Sequence, residues 1–145
     1  MGWTKIAEAT LARDSTELTL NFAIKGGYQY LILAEGKIET GSSPLTLVDF
    51  LQDGIVVTEI GCRTLNINMT TSWFLSGLLI IADTGWVASA LVMTFLDFDY
   101  PYQDGSYTLS DAQADLTKPV TLRFTQTDGV LKAGLKIAVL EKAIE

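Results

Sequence analysis

The most chemically distinctive stretch of the sequence lies at residues 97–107, where three aspartates are mixed with four aromatic residues after a long apolar run. Tyrosine rings can stack on a sugar face while carboxylates accept hydrogen bonds from its hydroxyls, so this mixture suits a carbohydrate ligand. The aspartates could instead offer oxygen ligands to calcium, although their spacing is not that of an EF-hand loop. A polar loop that covers one end of the domain is the alternative interpretation. The candidate ligand-binding residues are Asp97, Asp99, Tyr100, Tyr102, Asp104 and Tyr107.

A second motif, Asp83-Thr84-Gly85, follows the apolar run 79–82 and has the form of an aspartic-protease catalytic loop. That chemistry needs two aspartates that share a proton, so a chain with one copy would have to dimerise. Trp86 stands where such proteases have a small residue, and the sequence has neither a glycine-rich flap nor a later Ile/Leu-Ile/Leu-Gly element. Because Asp-Thr-Gly is also an ordinary hairpin turn, the sequence favours a turn at this position.

The composition excludes most other known arrangements of catalytic residues. The 145 residues include no histidine, which removes Ser/His/Asp and Cys/His nucleophiles and histidine-containing zinc sites. Cys62 is the single cysteine, so no intrachain disulfide can form, and a small buried side chain explains it better than a nucleophile activated by Arg63. No P-loop or dinucleotide-binding glycine motif is present. We therefore expect no enzymatic activity, no cofactor and no bound metal.

The charge balance is acidic, with 10 Lys and Arg against 17 Asp and Glu and a formal net charge of −7. Nucleic acids and anionic membranes attract clustered cations, so neither is expected as a partner. No Lys or Arg occurs between Thr64 and Thr117, and the cationic flanks of one subunit could face the acidic middle of another. Ordinary solvated charges explain the asymmetry equally well. Residues 1–11 do not resemble a secretory signal, which favours synthesis in the cytoplasm without export by that route.

Apolar residues recur at every second position, which is typical of half-buried β-strands. A chain of this length can bury roughly 70% of its unfolded surface, and residues 1–145 are predicted to form a single all-β domain. The predicted fold is an antiparallel β-sandwich, jelly-roll-like, with about ten short strands. One short helix is possible at 45–52 or 110–116. Strands are predicted near 3–11, 16–25, 28–37, 45–50, 55–60, 63–69, 73–82 and 86–98, followed by a hairpin over 120–139 that turns at Asp128-Gly129.

Turns are predicted from clusters of glycine, proline and small polar residues between these strands. The clusters occupy 25–27, 41–44, 52–54, 83–85 and 103–105.

Residues 73–96 form the longest apolar stretch, with Asp83 as their only charge. A transmembrane helix is disfavoured because Asp-Thr-Gly splits the run, no Lys or Arg closely flanks it, and an aspartate in lipid is costly. Two strands with apolar residues on both faces explain the stretch better. One face would be covered by the core and the other by a second sheet or a neighbouring subunit. The residues predicted for a subunit interface are Trp73, Phe74, Leu79, Ile81, Trp86, Leu91 and Met93.

The segments 3–11, 15–20 and 28–33, together with the closing segment 120–140, resemble the jelly-roll virion proteins of tailed bacteriophages. The resemblance covers about the first and last thirds of the chain and concerns the strand pattern rather than a specific motif. It implies a structural role in the virion, as a capsid decoration or tail-associated protein that is usually trimeric. The implied partners are further copies of the chain and the major capsid or tail protein, and no catalytic residues carry over.

Two hypotheses about function follow. The first is a non-enzymatic virion structural protein that self-associates and decorates a capsid or tail, with Lys5, Lys132 and Lys136 available to an acidic capsid surface. The alternative is a carbohydrate-binding module that recognises a receptor glycan through residues 97–107.

Overall fold

The chain folds into antiparallel β-strands, as the alternation of apolar residues predicts. The computed structural model describes residues 2–63, 70–95 and 102–145. Every strand pair in these ranges is antiparallel, so the all-β prediction is confirmed. The nine strands are β1 (Thr4–Thr10), β2 (Glu17–Phe22), β3 (Tyr28–Gln52), β4 (Ile55–Arg63), β5 (Thr70–Ile81), β6 (Trp86–Phe95), β7 (Tyr102–Gln113), β8 (Val120–Leu131) and β9 (Lys136–Ala143).

The long strand β3 joins two parts of one continuous sheet. Its first half pairs with β9 and β5, in a six-stranded part with the order β1-β9-β3-β5-β6-β7. Its second half pairs with β8 and β4, in a four-stranded part with the order β2-β8-β3-β4. The register between β3 and β8 shifts between Thr40 and Leu45. Such an irregularity bends a strand, and it allows β3 to pass from one part to the other.

The core lies between these two parts. Trp73 of β5 is fully buried, and its ring meets Phe124 of β8 edge-on at a centroid distance of 6.3 Å. Phe22 of β2 and Tyr30 of β3 make a second aromatic contact across the core, at 5.4 Å. Side chains of both parts therefore interdigitate in one core, and the predicted β-sandwich is confirmed.

Three of the predicted turns are confirmed. Asp53 and Gly54 connect β3 to β4 with positive φ angles of 52° and 76°, as a two-residue hairpin turn requires. Asp83-Thr84-Gly85 connects β5 to β6, and Gly26-Gly27 precedes β3. The Asp-Thr-Gly motif is therefore the turn of a β-hairpin, with an exposed Asp83.

Three other predicted turns are wrong, because these segments continue as strands. Residues 41–44 lie within β3, 103–105 lie within β7, and Asp128-Gly129 lies within β8. Gly129 passes so close to the carbonyl of Glu39 that a Cβ at this position would overlap it. Glycine is thus needed here for the close approach of two strands, and not for a hairpin turn.

The closing hairpin is also corrected. Strands β8 and β9 pair with different halves of β3 instead of with each other. The chain crosses between the two parts of the sheet at residues 132–135, where Gly134 has a φ of 93°. Since one long strand supplies partners for both, they need no pairing with each other.

No helix occurs in residues 2–63, 70–95 or 102–145, so the predicted short helix is wrong where the structure describes the chain. Residues 45–52 belong to β3, and 110–113 belong to β7. The predicted strand 63–69 lies outside the described residues except for Arg63, the last residue of β4. Within the described ranges, none of the chain forms a helix of the length and apolarity that crossing a membrane takes.

Candidate interaction surface

The six-stranded part has an apolar outer face, opposite the core. Along β5, odd-numbered residues from Thr71 to Ile81 are buried, and the even-numbered ones point outwards. The outward positions of β5 and of residues 86–92 of β6 carry no charged residue. Five large apolar side chains of this face are exposed, namely Leu33 (41%), Phe74 (44%), Ile80 (37%), Trp86 (48%) and Val92 (45%).

The strand register makes this outer face continuous. Leu33 of β3 lies opposite Ser76 of β5 and Ala138 of β9, and Ser76 lies opposite Val92 of β6. Four strands about 4.8 Å apart and eight residues at about 3.4 Å each span roughly 500 Å² of sheet, an area that includes Glu35 and Lys136 at its edge as well as the apolar side chains. The largest apolar patch of a monomeric protein is about 300–600 Å² and is often functional. The outer face is therefore large enough to be an interaction surface.

A groove runs along the outer face beside β9, with a volume of about 480 Å³. Small-molecule binding sites in proteins commonly have volumes of about 300–1,000 Å³. Leu33, Phe74 and Ala138 provide its apolar lining. The remaining lining includes Glu8, Thr10, Glu35 and Lys136, which place both signs of charge at its rim.

One of the rim charges, Glu8, is paired with a lysine of its own strand. Lys5 Nζ lies 2.9 Å from Glu8 Oε2, and this contact lowers the pKa of the exposed Glu8 carboxyl by hydrogen bonding and by charge. Lys136 lines the groove. Lys132, by contrast, lies outside the groove and is paired with Asp14 at 2.7 Å. Of the three lysines suggested for a capsid contact, Lys136 is thus the one placed at the groove.

The structure divides the seven residues predicted for a subunit interface. Phe74 and Trp86 lie on the exposed outer face. Met93 belongs to β6, but its side chain lies outside the described part of the chain. The prediction is corrected for the remaining four, which are buried in the core of the chain itself and cannot reach a partner: Trp73, Leu79, Ile81 and Leu91. Alternate residues of these two strands face the core. Because both faces are apolar, the sequence does not show whether the odd-numbered or the even-numbered residues are the buried ones.

Three residues of the outer face were missed, namely Leu33, Ile80 and Val92. A signal for Leu33 exists in the sequence, because the run Leu31-Ile32-Leu33-Ala34 is apolar on both faces in the same way as β5.

The predicted ligand loop is in part a strand. Tyr102, Asp104 and Tyr107 belong to β7, where they pair with Phe95, Met93 and Ala90 of β6. Asp97, Asp99 and Tyr100 lie outside the described residues. The structure does not describe the side chains of the three β7 residues either, so the ligand-binding role of all six residues stays a prediction.

The other candidate residues do not assemble into a site. Asp83 lies in an exposed turn. Cys62 lies in β4 opposite Thr46, and the structure does not describe the Cys62 side chain. In the described part of the chain, no three Cys, Asp or Glu side chains converge as ligands for a metal ion.

One charged cluster on the four-stranded part was not predicted. Asp49 of β3 lies between Glu59 of β4 and Arg123 of β8 in the strand register. Its side chain is 2% exposed, and its Oδ2 accepts hydrogen bonds from Arg123 Nε at 3.2 Å and from an Arg123 terminal nitrogen at 2.8 Å. Among the described residues, Asp49 Oδ1 has no fixed donor. The Glu59 side chain contacts that of Asp49, and hydrogen bonding to Asp49, desolvation and the nearby negative charge raise the pKa of Glu59.

Comparison with known proteins yields little similarity. No family model matches the chain, and no curated protein matches it. A solved structure of the CBM2 module of the evolved Dit of Lactobacillus casei BL23 phage J-1 aligns with 88% of this chain and 70% of that one. The identity is 7% and the TM-score is 0.36.

Proposed function

We propose that this protein is a non-enzymatic structural subunit that associates with further copies of itself through the outer face of the six-stranded part. The observation that carries the proposal is the row of exposed apolar side chains on a face with no charge at its centre. A second copy suits this face, because its rim carries both signs of charge in Glu8, Glu35 and Lys136. Each copy thus offers a partner for the charges of the other.

The size of the face sets the expected strength of association. The outer face of one copy, of roughly 500 Å², and an equal area on the copy that covers it would bury roughly 1,000 Å² in total, at the lower limit for a specific interface. Burial of apolar area contributes about 25 cal/mol per Å², and the loss of translational and rotational freedom opposes it. We therefore expect an assembly that depends on protein concentration.

We place this subunit in a phage virion, where it would decorate a capsid or tail. The strand pattern of the first and last thirds of the chain supports this placement through its resemblance to phage virion proteins. A trimer is the favoured state, and the major capsid or tail protein is the proposed further partner. The role requires no cofactor and no catalytic residue.

Self-association is tested by measuring the mass of the purified protein by light scattering over a range of concentrations. We expect a mass near three times 15.8 kDa at high concentration. Phe74→Asp places a charge in the apolar face and should leave only monomer, with an unchanged circular dichroism spectrum. Asn21→Asp is the matched control, because it adds one negative charge at an exposed position of the four-stranded part. A wild-type protein that stays monomeric at every concentration would contradict the proposal.

Glycan recognition by residues 97–107 is a second candidate function. It is supported by the spacing of Tyr102 and Asp104, which are two residues apart in β7, because alternate positions of a strand share one face of the sheet. Binding to a glycan array that is lost in Tyr102→Ala, and retained in Phe74→Asp, would support it. The absence of binding to every glycan on the array would count against it.

A further inference from the structure

The tip of the β3–β4 hairpin exposes an apolar pair. Ile55 is 71% exposed and its neighbour Val56 is 44% exposed. The turn itself needs only Asp53 and Gly54, which have the positive φ angles. Nothing in the hairpin geometry requires an isoleucine there, and exposing one costs apolar burial that a polar residue would not. We call residues 53–56 the hairpin tip.

The hairpin tip is held in place by the loop before β8. The buried Gln52 side chain donates hydrogen bonds to the carbonyl oxygens of Asp115 (2.8 Å) and Lys118 (3.1 Å) and accepts one from the Asp115 N–H (2.8 Å). Lys118 Nζ lies 2.5 Å from Asp53 Oδ2. A tip fixed in this way loses little conformational entropy when it binds a partner.

The groove on the outer face has the complementary properties. Its lining of Leu33, Phe74 and Ala138 matches the apolar character of Ile55 and Val56, and its volume of about 480 Å³ is large enough for two branched side chains. The charges match as well. The tip carries Asp53 and the adjoining Lys118, and the rim of the groove carries Lys136 and two glutamates.

We propose that the hairpin tip of one copy inserts Ile55 and Val56 into the groove of a second copy. This inference rests on the proposed function and specifies its contact. Because the tip belongs to the four-stranded part and the groove to the six-stranded part, each copy contributes a different surface. Such a heterologous contact closes into a ring, as in a trimer, or continues along a filament.

Two variants that each block one side of this contact provide the test. Ile55→Asp removes the apolar tip and leaves the groove intact, and Leu33→Asp blocks the groove and leaves the tip intact. Both positions are exposed, so the fold should persist. Each variant alone should be monomeric at the concentrations at which the wild-type protein associates. Its association should need at least a tenfold higher concentration, because the new carboxylate would be buried without a partner. An equimolar mixture retains one functional contact and should form a dimer near twice 15.8 kDa.

The outcomes separate this contact from self-association in general. If Ile55→Asp keeps the wild-type mass while Phe74→Asp is monomeric, the hairpin tip is not the occupant, and the proposed function stands. If the two single variants are monomeric and their mixture is too, the contact is not heterologous and the inference is overturned. A wild-type protein that never associates overturns both. Asn21→Asp should match the wild type throughout.

Discussion

Trp73→Ala should lower the free energy of unfolding by about 3–5 kcal/mol, as expected when a large aromatic side chain is removed from a core. The Trp73 side chain is fully buried and packs edge-on against Phe124. Its loss would remove one of the aromatic contacts between the two parts of the sheet and leave a cavity there. Since a domain is typically stable by only about 5–15 kcal/mol, a large share of the stability would be lost. Urea unfolding followed by tryptophan fluorescence and circular dichroism measures the difference.

Trp86→Ala is the matched control, since it removes the same side chain from the same hairpin. Trp86 is about half exposed on the outer face, so its truncation should change the free energy of unfolding by less than about 1 kcal/mol. It should instead weaken self-association in the light-scattering measurement. A large loss of stability in Trp86→Ala with little change in Trp73→Ala would contradict the assignment of the two faces.

Arg123→Ala should lower the free energy of unfolding by about 2–4 kcal/mol at neutral pH. The truncation leaves Asp49 as a buried charge without its partner, and breaking a buried ion pair in this way commonly costs about 3–5 kcal/mol. The expected value is smaller here because one third of the Arg123 side chain is exposed to solvent. Urea unfolding of Arg123→Ala and of the wild-type protein at neutral pH measures the difference.

Glu59→Gln, in the same cluster, should have the opposite effect and stabilise the protein at neutral pH. The contact with Asp49 raises the pKa of Glu59 above its ordinary value of 4.5. A raised pKa means that the stabilising contact is fully present below the ordinary pKa and is lost as the pH rises through the raised value. At neutral pH the ionised Glu59 therefore repels Asp49. A glutamine amide removes this repulsion and can donate a hydrogen bond to the Asp49 carboxylate at every pH.

The gain from Glu59→Gln should be about 0.2–1 kcal/mol, as for other cross-strand pairs of like charge, or roughly 1–4 °C in Tm. It should be largest near neutral pH and fall towards zero below the ordinary pKa, where the wild-type carboxyl is protonated. Tm measured by calorimetry between acid and neutral pH tests this dependence. A stabilisation that is independent of pH would exclude the carboxyl contact as its cause.

The strand class and several turns were predictable because their signals are local. The period of two in residues 16–25 and 120–125 gives correct strands in β2 and β8, since alternate side chains of a strand point to opposite faces. Asp53-Gly54 and Asp83-Thr84-Gly85 give correct turns. In each case the residues whose pattern predicts a strand or a turn are the same residues that form it.

The strand partners were not predictable in this way. Residues 41–44 have the composition of a turn, yet they continue β3, because β8 pairs with β3 on both sides of this segment. Asp128-Gly129 likewise continues β8, where Gly129 accommodates the carbonyl of Glu39. These conformations are fixed by hydrogen bonds to residues distant in the chain, and a local pattern of glycine and aspartate contains no information about such partners.

The sequence by itself determined that residues 73–92 form two strands with apolar residues on both faces, and hence that one of these faces would need a further cover. The tertiary structure decided which face that is, by burying Trp73 against Phe124 and leaving Phe74 outside. The physical reason is that alternation distinguishes two faces only when they differ in polarity. Here both are apolar, so packing against β8 across the core selects the buried one.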